Sequence, residues 1–266
     1  MIFKAPVIES HHALPRNACL PDQPRAQRIS VEDVTLVRGA TKVFERLSLR
    51  LDDDRIGIVG DNGVGKSSLF RMLCGLDAPR SGRIWVNGGE VGATPHHDRS
   101  VGMMFQNPDE QIIFPTVEEE LALGLQAVGK PRREAVQQAR DWLAARGLRD
   151  WAERAVSSLS QGQRQHVCWL ALTIASPRTL LLDEPFASLD LPGQALLDRE
   201  IRAASQQVIV STHVLQHVRR FGRVIWLCGG GVRADGPGRE VCAAYEADVA
   251  TRVAAGAAPM DPLRGE

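Results

Sequence analysis

Apolar and polar residues alternate along RISVEDVTLV (residues 28–37) and again along VFERLSLRL (residues 43–51), the period of strands buried on one face. GRIWVNG and SVGMMF add two more β-rich pieces, so the first part of the chain reads as strand-rich. Between them an unbroken apolar run, Ile56 to Val59, leads through a glycine-rich stretch into SLFRMLCGL, a helix. From about 108 to 158 the character changes. TVEEELALGLQAV begins with a Thr cap and an acidic first turn, as helix N-termini do. EAVQQARDWLAARGL puts Val136, Ala139, Leu143 and Ala144 on one face, with Trp142 beside them, a second amphipathic helix. After Leu159, strands and helices alternate. Ser160 stands as the N-cap of a helix whose apolar stripe is Val167, Leu170, Ala171 and Ile174. RTLLLDEP and QVIVSTH read as buried parallel strands with polar residues at their C-terminal ends. VIWLCGGGVRADG reads as a hairpin turning at Gly229 to Gly231. From Arg239 onward the sequence predicts a tail, 239–266, holding one weak helix and a Pro/Gly-rich end. The whole is an α/β pattern with an antiparallel β-subdomain early and a helical insertion in the middle.

A chain of 266 residues can bury a full core in one or two domains. Lys plus Arg and Asp plus Glu number 32 each, so no global field draws the protein to nucleic acid or anionic lipid. The five cysteines, at 19, 74, 168, 228 and 242, form no Cys-x-x-Cys pair and read as reduced residues, not disulfides or zinc ligands. Residues 1–27 lack a secretory apolar region and are broken by Pro6, Pro15, Pro21 and Pro24, which predicts a loosely draped extension. His11 and His12 read as surface residues of it. No apolar run is long enough to cross a bilayer; work at a membrane requires another chain to carry the membrane.

The chemistry concentrates in three places. GDNGVGKS, Gly60 to Ser67, sits between strand and helix, the arrangement that wraps backbone N–H groups around the phosphates of a nucleoside triphosphate. Glycines at 60, 63 and 65 permit backbone angles that a side chain resists. Lys66 supplies positive charge to the β- and γ-phosphates, and the Ser67 hydroxyl is a Mg²⁺ ligand. The second is LLLDEP. Asp183 holds Mg²⁺ through water and Glu184 is placed to orient or deprotonate an attacking water. Alone, an apolar run ending in Asp-Glu is equally a structural strand end; behind a phosphate loop it is a strong signal. The third is LSQGQ, where a helix N-terminus with a hydroxyl and a glycine N–H attracts anions. Capping requires Ser160 but neither Gly162 nor Gln163.

With these motifs in order, GDNGVGKSS, Gln106, LSQGQ, LLLDEP, ASLD and STH, the chain resembles the ATPase subunit of an ABC transporter. The motifs span Gly60 to His213, and the match continues from about Arg28 to Gly236. The resemblance implies a P-loop NTPase with a RecA-like core, an antiparallel β-subdomain and an inserted helical subdomain. It places the ATPase domain at 28–238, with the insertion at about 108–158. It implies ATP and Mg²⁺ as cofactors and a dimer that buries each ATP between the phosphate loop of one subunit and LSxGQ of the other. The phosphate loop is then Gly60, Asp61, Asn62, Gly63, Val64, Gly65, Lys66, Ser67 and Ser68. Ser67, Gln106 and Asp183 complete the Mg²⁺ shell, and Gln106, at the joint with the insertion, also reports occupancy. Ser160, Gly162 and Gln163 reach the γ-phosphate in trans. Glu184 is the catalytic carboxylate, Asp190 belongs to the segment linking the two sites, and His213 hydrogen-bonds the γ-phosphate.

Two positions depart from the family. Gln161 replaces a usual glycine, acceptable where the backbone is helical. Where the family places an aromatic against adenine, this chain has Val37 and Arg38; Arg38 either stacks on the base through its guanidinium or is an exposed strand-end arginine.

FQNPDEQIIFPTVEEELALG, Phe105 to Gly124, is similar to the energy-coupling factor group, whose importers take up vitamins and transition-metal ions. The similarity implies an acidic groove, here Asp109, Glu110, Gln111, Glu118 and Glu119, that receives arginine-bearing helices of a membrane coupling protein. It further implies a substrate-binding membrane protein as partner, a second ATPase subunit (a homodimer is favoured, since both halves of a composite site are intact), and a peripheral location on the cytoplasmic face of the cell's inner membrane. RIGIVGDNGVGKSSL with Asp52, Asp53 and Asp54 before it looks most like ATPases of biotin importers, with cobalt or nickel uptake as runners-up. A soluble ABC-type ATPase acting on nucleic acid or ribosomes is a rival that the balanced charge and single cassette disfavour; no nucleic acid partner is expected. A non-hydrolysing regulatory subunit is disfavoured by the presence of both Glu184 and His213.

Overall fold

The computed structural model describes residues 28–92 and 100–256. The expected extension 1–27, with His11, His12 and Cys19, lies outside the described residues, as does the stretch after 256.

Two sheets are present among the described residues. The first is antiparallel, built from β1 (Ile29–Arg38), β2 (Thr41–Arg50), β4 (Ser81–Val86) and β5 (Gly89–Glu90), in the order β2-β1-β4-β5. The second has six strands: β3 (Arg55–Val59), β6 (Val101–Met104), β7 (Thr179–Asp183), β8 (Gln207–Ser211), β9 (Arg223–Cys228) and β10 (Gly231–Gly236). Its order is β10-β9-β3-β8-β7-β6, parallel throughout except for the edge strand β10, which returns antiparallel to β9 through Gly229 and Gly230 at positive φ. This is the expected α/β architecture.

The parity of the parallel strands explains how the sheet is covered on both faces. Leu181 of β7, Ile209 of β8, and Ile225 and Leu227 of β9 pack with the antiparallel sheet and with α1 (Lys66–Leu73), alongside Ile56 and Ile58 of β3. The intervening residues Leu180, Leu182, Val208, Val210, Val224 and Trp226 face a second apolar cluster. That cluster is closed by α2 (Val117–Ala127), α3 (Arg132–Ala144), α4 (Gln161–Ile174), α5 (Leu191–Ala203) and α6 (Gly238–Ala254). Both faces are buried, so these strands read as continuous apolar runs instead of alternating ones. Each fully buried Leu, Ile or Val contributes about 1.5–3 kcal/mol of transfer free energy. Gly57 lets the segment after β8 lie close on the sheet: a Cβ there would lie 2.8 Å from Val218 Cβ.

Between β6 and β7 lie α2 and α3, and α3 buries Ala135, Ala139 and Leu143, with Val136 and Trp142 partly covered. Thr116 occupies the N-cap of α2 but makes no capping bond; its hydroxyl donates to Glu119 Oε2 at 2.8 Å. The helix expected after Arg239 is α6, which buries Val241 and Cys242 and packs on β9, with the Tyr245 ring 5.2 Å from that of Trp226.

Candidate functional site

The register of the parallel strands brings the C-terminal ends of β3, β8 and β7 side by side. Ser211 pairs with Ile58 on one side and Asp183 on the other, so everything just beyond these strands converges, where open parallel sheets place their ligands. Beyond β3 runs the phosphate loop. Gly60 has φ 143°, and a Cβ on it would lie 2.4 Å from the Leu227 carbonyl oxygen. Gly65, the N-cap of α1, has φ 102°, and a Cβ there would meet Phe44 Cζ at 2.6 Å and Val43 Cγ1 at 2.7 Å. Glycine is therefore required twice over, by backbone angle and by close approach to β9 and β2. No side chain caps α1, which leaves its first-turn N–H groups to a ligand.

Lys66 Nζ donates to the carbonyls of Gly60 at 2.8 Å and Asp61 at 3.0 Å, lying back across the loop. Burial lowers its pKa from the ordinary lysine value, against the opposing pull of Glu184, Asp183 and Asp61. Asp183 accepts a hydrogen bond from Ser211 Oγ. Glu184 is buried and sits at φ 47°, a left-handed conformation uncommon for a residue other than glycine. Its N–H donates to the Ser211 carbonyl at 2.9 Å, and its Oε2 receives the His213 backbone N–H at 3.2 Å and lies 2.8 Å from His213 Nδ1. A carboxylate gripped in this way keeps one orientation toward the space it faces.

That space is a cavity of about 1010 Å³. Gly60, Asp61, Asn62, Gly63, Gly65, Lys66, Ser67 and Ser68 line it from the loop, and Gln106, Asp183, Glu184 and His213 from the strand ends. Val64 does not face it; that side chain is buried in the apolar cluster beneath the antiparallel sheet. Arg38 lines the rim, and its guanidinium pairs with Asp77, which Arg71 also grips at 2.9 Å.

Ser160, Gly162 and Gln163 do not line this cavity. They form the N-terminus of α4, where Ser160 Oγ accepts from the Gln163 N–H at 3.3 Å and Gln163 Oε1 accepts from the Ser160 N–H at 3.0 Å. This reciprocal capping box corrects the sequence reading that capping leaves Gln163 unexplained. Gly162 is different: a Cβ there would find only Leu189 Cδ2, at an ordinary 3.5 Å, so nothing inside the chain demands glycine. Gln161 is accommodated as the first residue of α4, its amide donating to Ser188 Oγ at 3.0 Å. Asp190 caps α5, accepting from the Gly193 N–H at 3.0 Å.

The expected acidic groove is only partly open. Asp109 and Glu110 are exposed, Asp109 paired with Arg164 at 3.0 Å. Gln111 is turned inward, its Oε1 accepting from the Phe105 N–H at 3.0 Å. Glu119 pairs with Arg132 at 3.2 Å. Glu118 is buried and held by two bonds from Arg140, at 2.6 and 2.9 Å; it is a strut between α2 and α3 rather than an open acid. Glu120, which the sequence did not single out, is also buried and accepts from the N–H groups of Ile113 and Phe114 at 2.9 and 2.8 Å, fixing the segment before α2.

Sequence reasoning expected the helix α6 but not its place at the site. Tyr245, Val249, Arg252 and Val253 line the same cavity as the phosphate loop. Tyr245 OH donates to Asp61 Oδ1 at 2.7 Å, and the Arg252 guanidinium bonds both oxygens of Asp61, at 2.8 and 3.2 Å. Burial works to raise the Asp61 pKa, but these hydrogen bonds prevail and hold it below the usual carboxylate value.

A profile of the family described as ABC transporter matches residues 44–187. A biotin transport ATP-binding protein of Rhodobacter capsulatus is 45% identical over 236 residues, covering 87% of this chain and 99% of that protein. An energy-coupling factor transporter ATP-binding protein of Bacillus subtilis is 34% identical, covering 81% of this chain and 80% of its own. Among solved structures, the cbiO1 protein of Clostridium perfringens, described as part of the ABC transporter complex cbiONQ, superposes with a TM-score of 0.71 at 25% identity, covering 85% of this chain and 94% of that one.

Proposed function

From the premise that this chain belongs to the ABC transporter ATP-binding family, in its energy-coupling factor branch, we propose that it powers biotin uptake as one of two identical ATPase subunits docked on membrane proteins. The protein is an ATP-binding ATPase of an importer. The observation that supports the site assignment is the meeting of Lys66, Asp183, Glu184 and His213 around one cavity. The biotin reading is supported by the 45% identity to a named biotin transport subunit over nearly all of its length.

In this reading the α1 amides and Lys66 bind the β- and γ-phosphates. Lys66 Nζ leaves the Gly60 and Asp61 carbonyls, 2.8 and 3.0 Å away, for phosphate oxygens. Glu184, oriented by His213, accepts a proton from the water that attacks the γ-phosphorus. His213 reaches the γ-phosphate through its exposed edge. The donor set fits Mg²⁺: Ser67, Gln106 and Asp183 offer only oxygen ligands, and among the described residues no group of three or more His, Cys, Asp or Glu forms a metal cage. The ion would draw the rest of its shell from phosphate and water and supply charge neutralisation at the leaving oxygens. Ser160, Gly162 and Gln163 lie outside this chain's own cavity, which agrees with their serving the site of a second copy. Among the described residues no helix is long and apolar enough to cross a membrane, so membrane contact falls to partner proteins docking at Asp109, Glu110 and Glu119.

Purification of the tagged protein from membranes in mild detergent tests this. Integral membrane partners should co-purify, and vesicles containing the complex should accumulate labelled biotin with ATP. Glu110→Arg, which breaks no ion pair, should lose the partners while still binding ATP. Accumulation of cobalt or nickel in place of biotin overturns the substrate, and retained partners overturn the groove.

A further inference from the structure

The apolar stripe of α6 runs past the end of the core. Its first turns bury Val241 and Cys242, Tyr245 packs on Trp226, and the same face continues through Val249 to Val253, the i, i+4, i+8 spacing of one helix face. Val253 is 70% exposed yet borders the nucleotide cavity. Of the described residues lining that cavity, the aliphatic ones are Val43, Val249 and Val253, two of the three from α6. The helix is also fixed in place: Tyr245 and Arg252 hold Asp61, and Asp248 pairs with both Arg233 and Arg252. Arg38, the other candidate for the base, is engaged with Asp77.

We propose that Val249 and Val253 of α6 form the base-binding wall of the ATP site, receiving the nucleoside base on an aliphatic surface that the Asp61–Tyr245–Arg252 cluster holds beside the phosphate loop. The polar part of the cavity suits the triphosphate, and a flat, largely apolar base loses least by lying on its aliphatic part. The clamp on Asp61 has a second effect. A carboxylate inside a phosphate loop repels the ligand, and the Arg252 guanidinium, bonded to both oxygens of Asp61, offsets that charge.

This inference rests on ATP occupying the cavity, and the test separates the two. Affinities of the full chain are measured for ATP and for inorganic tripolyphosphate, which has no base, in the presence of Mg²⁺. The double substitution Val249→Ala with Val253→Ala should weaken ATP about fivefold and leave tripolyphosphate within about twofold. Val253→Phe, at an exposed position that folding tolerates, should tighten ATP alone, by about threefold. Unchanged ATP affinity in both variants, or equal loss of both ligands in the double variant, overturns the base wall. Wild-type protein that binds neither ligand overturns the nucleotide site and the wall with it.

Discussion

Two helix N-termini in this molecule face opposite demands. The start of α1 has Gly65 as N-cap and no side-chain partner, whereas the start of α4 has a complete capping box between Ser160 and Gln163. Unsatisfied amides at α1 are ready for a phosphate within the same chain. At α4 the Gln163 N–H is already bonded, so an incoming γ-phosphate competes with an existing hydrogen bond and meets mainly the Ser160 hydroxyl and the space beside Gly162. In the proposed dimer this difference sets an order, with ATP binding first at the open terminus and the capped terminus of the second copy adding to a nucleotide already held. The capped end also stabilises the isolated chain, which the open end does not.

The largest expected effect isolates chemistry from either terminus. Glu184→Gln keeps the shape of the strand end and removes the proton acceptor; turnover should fall by about 10²–10⁴-fold with ATP affinity nearly unchanged, measured by phosphate release and equilibrium binding. An equal loss of both would return Glu184 to a structural role. Next, Ser160→Ala should lower unfolding free energy by about 1 kcal/mol in denaturant titration and slow turnover, while the affinity of the monomer for ATP stays constant. Weaker ATP binding by the monomer would show that the two termini serve one site in one chain.

The smallest effect concerns the loop. Asp61 has its pKa held below the usual carboxylate value in the folded protein, so its contribution to stability is complete above the ordinary carboxylate range and is lost as pH falls through the depressed value. Arg252→Gln removes a hydrogen-bond donor and should move the acid unfolding midpoint to higher pH, followed by fluorescence of Trp226. An unmoved midpoint would mean that the clamp is not coupled to folding.

Much of this was legible because the signals are local. GDNGVGKS carries its glycines, lysine and hydroxyl within eight residues, and the apolar runs before Asp183 and His213 announce buried strands by themselves. What stayed hidden depends on distant partners. Glu118 looks like a solvated acid until Arg140 is found 22 residues away, and Tyr245 meets Asp61 across 184 residues. Neither pairing has any periodicity to betray it. The Gln163 cap is visible as spacing, since a serine followed three residues later by glutamine is the capping-box signature. The aromatic missing near Val37 was legible as a gap. The wall proposed in its place was not, because Val249 and Val253 meet the phosphate loop only across most of the length of the chain.

The sheet's two-sided burial has an evolutionary corollary. Adjacent residues of β7 and β8 belong to different apolar clusters, so adding or deleting a single residue inside either strand would swap the two clusters and pull Asp183 or His213 out of alignment with the phosphate loop. Length variation among descendants of this sequence is thereby confined to connections such as the one between α2 and α3, and the distance from strand to reacting group is inherited unchanged.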